Sequence, residues 1–331
     1  MDLPAGHKVE RFRTELEKLW IEHDEGRTLG VAVSGGPDSL ALLLLAHAAL
    51  PGRVVAVTID HGLRAESARE ARFVHELCAD LAIPHLTRRV EVAEGNLQDR
   101  ARAVRYRALY EAFLQLGTNT LATAHHADDQ AETVLMRLNR GSGVAGLAGI
   151  RAHRVDFNPE PLAEMLVVRP LLEWRKAELE EIVADAGIEP VRDSSNHDEQ
   201  FDRVRLRNVL RDADWLDPVA IARSARILQD AERIVASEVR KTYEECVFRE
   251  GEAIWFHPGH PFLLELETVE RILQEFGANP RGSAVATMVE ALRKDGAACL
   301  GGVMAKRGWH QKDPLTQVDA WKFEREPPRK S

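Results

Sequence analysis

The sequence has 331 residues, 44% hydrophobic and 29% charged, with a formal net charge of −9. That length suits two domains with a core each, and the composition excludes a disordered or fibrous chain. The acidic balance, taken alone, argues against a nucleic-acid partner.

In chain order, residues 8–23 read as an amphipathic helix and Leu29–Val33 as a short buried strand. A Gly-Gly joint follows, then a helix from about Ser39 to Leu50. VVAVTI at 54–59 is a second strand, rich in β-branched residues, and a helix through 67–81 ends before Pro84. HLTRRVEV at 85–92 is a third strand. Residues 96–116 form a helix with arginine at repeated helical spacing. Leu121–Ala124 is a fourth strand, followed by a helix from about Asp128 to Asn139. Asn158-Pro159 and Pro161 mark a loop before a strand at Met165–Arg169. A helix at 175–187 and one long helix from about Val219 to Val247 complete the regular part. Strands alternating with helices of this length predict βαβ units and a parallel sheet. Continuous apolar strands predict a sheet buried on both faces. The alternation ends near residue 216, which predicts domains over 1–216 and 217–331.

Other classes are excluded by what is missing. Cys78, Cys246 and Cys299 are far apart, so neither a zinc knuckle nor a CxxC redox pair is available. The N-terminal twenty residues are charged throughout, unlike a signal peptide. The longest apolar run, Leu40 to Leu50, is too short to span a bilayer. A cytoplasmic protein with no membrane partner is expected. Local basic clusters (Arg100, Arg102, Arg105 and Arg107; Arg203, Arg205, Arg207 and Arg211) soften the objection to a nucleic acid.

The joint Ser34-Gly35-Gly36-Pro37-Asp38-Ser39 follows the first strand and opens a helix. Ligands of open α/β sheets bind at such places, where glycine-rich backbone and the helix dipole favour an anion. The pattern is neither GxxxxGK[ST] nor GxGxxG. A nucleotide here would be held by main-chain N–H groups, with Ser34 and Ser39 adding hydroxyls. Asp38 would repel phosphate unless a cation lies between, which makes it a candidate Mg²⁺ ligand; its plainer reading is a helix N-cap. The joint resembles the loop of the N-type ATP pyrophosphatases, which cleave ATP between the α and β phosphates.

After the fourth strand come His125, His126, Asp128, Asp129 and Glu132. His125 and Asp129 are four apart, which predicts one shared helix face. Carboxylates in a first helical turn are favoured by the macrodipole alone. The arginine and glycines of RGSGVAGLAGI end that helix.

SGGPDS (34–39), IDHGLRAES (59–67), RAVRYRAL (102–109), HHADDQAET (125–133), RGSGVAGLAGI (140–150), RPLLEWRKAEL (169–179) and DSSNHDEQFDRVRLRN (193–208) together resemble the tRNA(Ile)-lysidine synthetase family. They occur in the family order and cover roughly residues 29–216. The resemblance to the family's C-terminal domain is weaker and rests on ACLGGV (298–303) and FEREP (323–327).

The resemblance implies a PP-loop N-terminal domain over a parallel sheet, and a smaller, mainly helical C-terminal domain with a β-hairpin that recognises tRNA. It implies a ligase that adenylates the wobble cytidine of a CAU-anticodon tRNA(Ile) with ATP and then joins L-lysine to C2. Ser34, Gly35, Gly36, Pro37, Asp38 and Ser39 would hold the phosphates, with Asp38 on Mg²⁺. Arg105 would stabilise charge during the transfer, and His125 and Asp129 would orient cytosine or lysine. Arg205 would lie near pyrophosphate and RNA, with Arg203 and Arg207 as competitors. Which carboxylate takes the lysine ammonium stays open, as does a homodimer. In the C-terminal part, Lys306, Arg307, Trp309, His310 and Lys312 offer either a stacking and phosphate surface or the polar face of a hairpin. A tRNA cytidine thiolase of the same superfamily is the nearest rival, and the isolated cysteines count against it. The amide-forming NAD and GMP synthetases share only the first motif. A nucleotide-sensing module that binds ATP without turnover is the rival outside the enzymes.

Overall fold

The computed structural model describes residues 2–20, 26–60, 65–90, 97–159, 162–191, 202–213, 215–280, 282–294, 296–313 and 315–326. It divides into two compact units, Met1–Met136 with Gly149–Arg226 and Arg137–Ala148 with Ile227–Ser331.

The first unit is a three-layer α/β structure. Its strands are β1 (Leu29–Ala32), β2 (Val54–Asp60), β3 (His85–Arg89), β4 (Thr120–Ala122), β5 (His153–Pro159) and β6 (Leu162–Val168). They form one sheet in the order β3-β2-β1-β4-β6-β5. All neighbouring pairs are parallel except β5 with β6. Alternation along β2 shows why the strands read as unbroken apolar runs. Val54 and Ala56 join one core, while Val55 and Val57 join the other. The first core is built on α1 (Gly6–Leu19), α2 (Pro37–Ala49), α3 (Ala65–Asp80) and α7 (Lys176–Asp185). The second lies under α4 (Leu97–Gln115), through Tyr106, Leu109, Tyr110 and Phe113. Helix α2 carries apolar side chains all round, and Leu40 to Ala46 are each 0% exposed. A helix without a polar face belongs in an interior.

Strand β5 corrects the expectation of a loop at 158–159. It pairs antiparallel with β6 from His153↔Val168 to Pro159↔Leu162. Asn158-Pro159 signals a turn by composition, but a proline is tolerated at the end of an edge strand, where no ladder hydrogen bond is asked of it.

The second unit contains α6 (Val144–Leu147), α10 (Phe262–Glu275), α11 (Gly282–Lys294) and most of α9 (Pro218–Cys246). Its sheet is fully antiparallel, in the order β7-β8-β11-β10-β9, from Val247–Glu250, Ala253–Phe256, Thr316–Arg325, Val303–Asp313 and Ala297–Leu300. The expected hairpin is the long β10–β11 pair, and it is the centre of this five-stranded sheet. Val285, Met288, Val289 and Leu292 of α11 pack with Phe256, Trp321 and Phe323.

Candidate active site

Strand order places the site. The chain leaves β1 toward β2 and β3, then returns to β4 on the other side of β1. The carboxyl ends of β1 and β4 therefore flank a topological switch point, where open α/β sheets bind ligands. The loop after β1 is Val33–Gly36, and the loop after β4 is Thr123–His126.

The first loop is closed by Ser39. Its hydroxyl donates to the Gly36 carbonyl (3.0 Å) and accepts the Ser34 N–H (3.1 Å). Ser39 is buried, whereas Ser34 is exposed and lies 3.2 Å from the Ser39 Oγ. The Ser39 proton is thus committed to the loop, and Ser34 is the hydroxyl turned outward. Gly35 has φ +85°, a left-handed conformation that glycine adopts without strain, and its carbonyl accepts the Val191 N–H at 2.9 Å. Gly36 caps α2 with extended backbone and Pro37 fills its first position. The N–H groups of Asp38 and Ser39 lie in the first turn, where no intrahelical carbonyl takes them.

The second loop brings a histidine to these residues. His125 and His126 precede α5 (Ala127–Asn139), so the shared helix face predicted for His125 and Asp129 does not form. The helix begins one residue earlier than its polar pattern suggests, and His126 stands at its cap. His125 turns its Nδ1 to Thr123 Oγ1 at 3.0 Å. His126 is 5% exposed. Its Nε2 lies 3.6 Å from Asp38 Oδ2 and 3.5 Å from Asp129 Oδ2, and its Nδ1 lies 3.5 Å from Asp128 Oδ2. Two roles compete for Nδ1, because the Asp129 N–H is also 3.4 Å away and would need a neutral ring. Three carboxylates around one buried ring decide for the cation. Burial alone would lower the His126 pKa, but Asp128, Asp38 and Asp129 outweigh it and raise it to about 10.

The carboxylates divide by use. Asp128 accepts the Lys176 N–H at 2.8 Å and faces Arg175 at 3.4 Å, so it caps the start of α7. Burial opposes its charge, yet His126, the Lys176 N–H and Arg175 hold it down to about 2. Asp129 accepts the His126 N–H at 3.2 Å. Asp38 faces His126 with Oδ2, while its Oδ1 is buried with no hydrogen-bond partner among the described residues. A carboxylate oxygen left this way is costly unless a cation meets it, which suits a Mg²⁺ ligand better than a plain cap. Glu132, 2% exposed, is met by Arg207, with Nε 2.8 Å from Oε1. Of the three competing arginines on α8 (Asp202–Asp212), Arg207 therefore reaches the cluster. Arg205 is exposed, and the Arg203 side chain lies outside the described residues. Arg105 is half-buried on α4, its guanidinium 5.9 Å from the Tyr106 ring.

The helix-breaking stretch after α5 also has a partner in the site motif. Gln130, 1% exposed, donates to the Ile150 carbonyl (3.0 Å) and accepts its N–H (2.6 Å). A Cβ on Gly149 would come within 2.4 Å of the Gln130 Oε1, so only glycine leaves room.

In the second unit Lys306 and Arg307 of the basic run on β10 are paired with acids, and the Lys312 side chain lies outside the described residues. Arg307 makes a two-pronged pair with Asp319 (2.8 and 2.7 Å), and Lys306 meets Glu324 at 3.3 Å. His310 is buried beside Glu250, and Trp309 is 68% exposed.

Residues 8–213 match the PP-loop domain family. The chain is 40% identical to a tRNA(Ile)-lysidine synthase of Novosphingobium aromaticivorans, over 97% of this chain and 94% of that protein. The chain belongs to the tRNA(Ile)-lysidine synthase family. A second member, from Zymomonas mobilis, is 38% identical over 91% of this chain and 89% of its own length. Among solved structures, the U34-tRNA thiolase NcsA of Methanococcus maripaludis with its [4Fe-4S] cluster shares the fold, with a TM-score of 0.54 at 15% identity over 67% of this chain and 79% of that one. The PP-loop assigns ATP binding to the first unit, and family membership makes the chain a ligase that modifies tRNA. No described helix is long and apolar enough to cross a membrane.

Sequence reasoning passed over His126 as the centre of the cluster. The signal was present as a second histidine directly before the first-turn carboxylates, but only the exact start of α5 decides which histidine faces them.

Proposed function

We propose that this protein joins L-lysine to C2 of the wobble cytidine of a CAU-anticodon tRNA(Ile), with ATP converted to AMP and pyrophosphate. The observation that carries the reading is the Ser34–Ser39 loop at the switch point, facing the His126–Asp129 cap of the neighbouring helix.

The C2 oxygen of cytosine attacks the α-phosphorus, and pyrophosphate leaves with the electrons of the broken P–O bond. The ε-amine of lysine then attacks C2, loses a proton, and AMP departs with the C2 oxygen. A carbonyl oxygen is a weak nucleophile, so positioning and charge neutralisation do most of the work. The outward Ser34 hydroxyl and the first-turn N–H groups of Asp38 and Ser39 hold phosphate oxygens. Asp38 would hold Mg²⁺ through its free oxygen. Bound there, the ion would neutralise phosphate charge and orient the α-phosphate. Arg105 stabilises charge on the transferring group. His125 and Asp129 line the base and lysine positions. Asp128 is occupied as a cap and Glu132 is engaged by Arg207, which narrows the group that takes up the ammonium or its proton to Asp129. Arg207, rather than Arg205, serves this chemistry from α8. The second unit contributes tRNA contacts, with exposed Trp309 available for stacking.

The test is pyrophosphate release from ATP and Mg²⁺ by the purified protein with an unmodified CAU tRNA(Ile) transcript, with and without lysine. Digestion and mass spectrometry of the wobble nucleoside follow. A lysine-dependent mass gain at that cytidine is expected; pyrophosphate without the adduct refutes lysine as the donor.

A further inference from the structure

We infer that His126 is a positioning residue that acts through Asp38, fixing which carboxylate oxygen is presented to the metal. The inference rests on the proposed Mg²⁺-dependent reaction. Three observations carry it. His126 is 5% exposed, so its ring is held by its surroundings. Its Nε2 is shared between Asp38 Oδ2 at 3.6 Å and Asp129 Oδ2 at 3.5 Å. The other oxygen of Asp38, Oδ1, is buried and has no partner among the described residues.

One nitrogen therefore joins the first turn of α2 to the first turn of α5 through two carboxylates. Without it, Asp38 and Asp129 would lose the group they share, and two like charges would remain near one another. Asp38 would relieve that repulsion by rotating, and the free oxygen would turn from its buried direction. With the ring in place, Oδ2 is engaged and Oδ1 alone is available to a cation. Partners that orient a metal-binding carboxylate from behind commonly govern metal affinity by 10- to 100-fold, roughly. His126 does not touch the reacting atoms; its effect is on how tightly and in what pose the metal is held.

The experiment is calorimetric binding of α,β-methylene ATP to the full chain across a Mg²⁺ titration. His126→Ala is expected to raise the Mg²⁺ concentration for half-maximal binding by about tenfold, with binding in EDTA unchanged. His126→Gln, which keeps a side-chain N–H donor, recovers part of the loss. In an Asp38→Asn background the His126 change has no further effect. A silent H126A, or an equal loss in the D38N background or in EDTA, overturns the inference. If H126A does not fold, H126Q is compared with H126Q in the D38N background and the same criteria apply. Wild-type nucleotide binding that ignores Mg²⁺ would overturn the metal in the proposed function and this inference with it. Mg²⁺-dependent wild type with a silent His126 variant would overturn this inference alone.

Discussion

The Arg207 guanidinium meets Glu132, a carboxylate that is 2% exposed, with Nε 2.8 Å from Oε1 and Nη2 3.4 Å from Oε2. The pair links α8 to α5 through two residues 75 apart in sequence. It is asymmetric, because the Glu132 side chain is buried and that of Arg207 is 40% exposed. Removing the arginine leaves a buried charge, whereas removing both leaves little. Arg207→Gln should destabilise the protein by about 2 kcal/mol. The E132Q/R207Q double variant should recover more than half of that. Urea unfolding of the single and double variants checks it.

Asp38→Asn should lower lysine-dependent turnover by roughly 10²-fold or more while tRNA binding stays at the wild-type level. Single-turnover pyrophosphate release and a tRNA filter-binding assay separate the two. Normal turnover in D38N would remove Asp38 from the metal.

Gly30 sits in β1 beside the switch point. A Cβ there would lie 2.5 Å from Phe113 Cδ1 and 2.9 Å from the Thr120 carbonyl oxygen. The ring could shift, but the backbone of β4 could not do so without disturbing the sheet. Gly30→Ala should cost about 1–3 kcal/mol, seen as a lower melting temperature.

His85 predicts an acid-side loss of stability away from the site. Burial, with His75 beside it, lowers its pKa from 6.5 to about 4, and its Nε2 lies 2.9 Å from Thr58 Oγ1. Between those values the unfolded chain binds the proton and the folded chain does not. Stability from this group is therefore complete above about pH 6.5 and falls as the pH drops toward 4. His85→Gln should flatten that part of the unfolding free energy against pH.

The parallel sheet and the joint after β1 are legible because both are local. Val54–Ile59 announces a doubly buried strand, and Ser34–Ser39 a strand-to-helix joint. Strand β5 was not legible, because Asn158-Pro159 carries a turn composition and only its place at the sheet edge makes it a strand. His125 was preferred to His126 because i,i+4 spacing assumes a continuous helix, and α5 begins at Ala127. Spacing ranks Arg203, Arg205 and Arg207 alike. Only the packing of α8 sends Arg207 to Glu132.

The apolar girth of α2 has a consequence for motion. A helix sheathed in core on every side opens only when the unit itself unfolds, so its amides should be among the slowest to exchange with solvent. Asp38 and Ser39 lie in the first turn of that helix and inherit its rigidity. The proposed phosphate grip is therefore an anvil. Any rearrangement that the proposed reaction requires is expected in elements other than this helix.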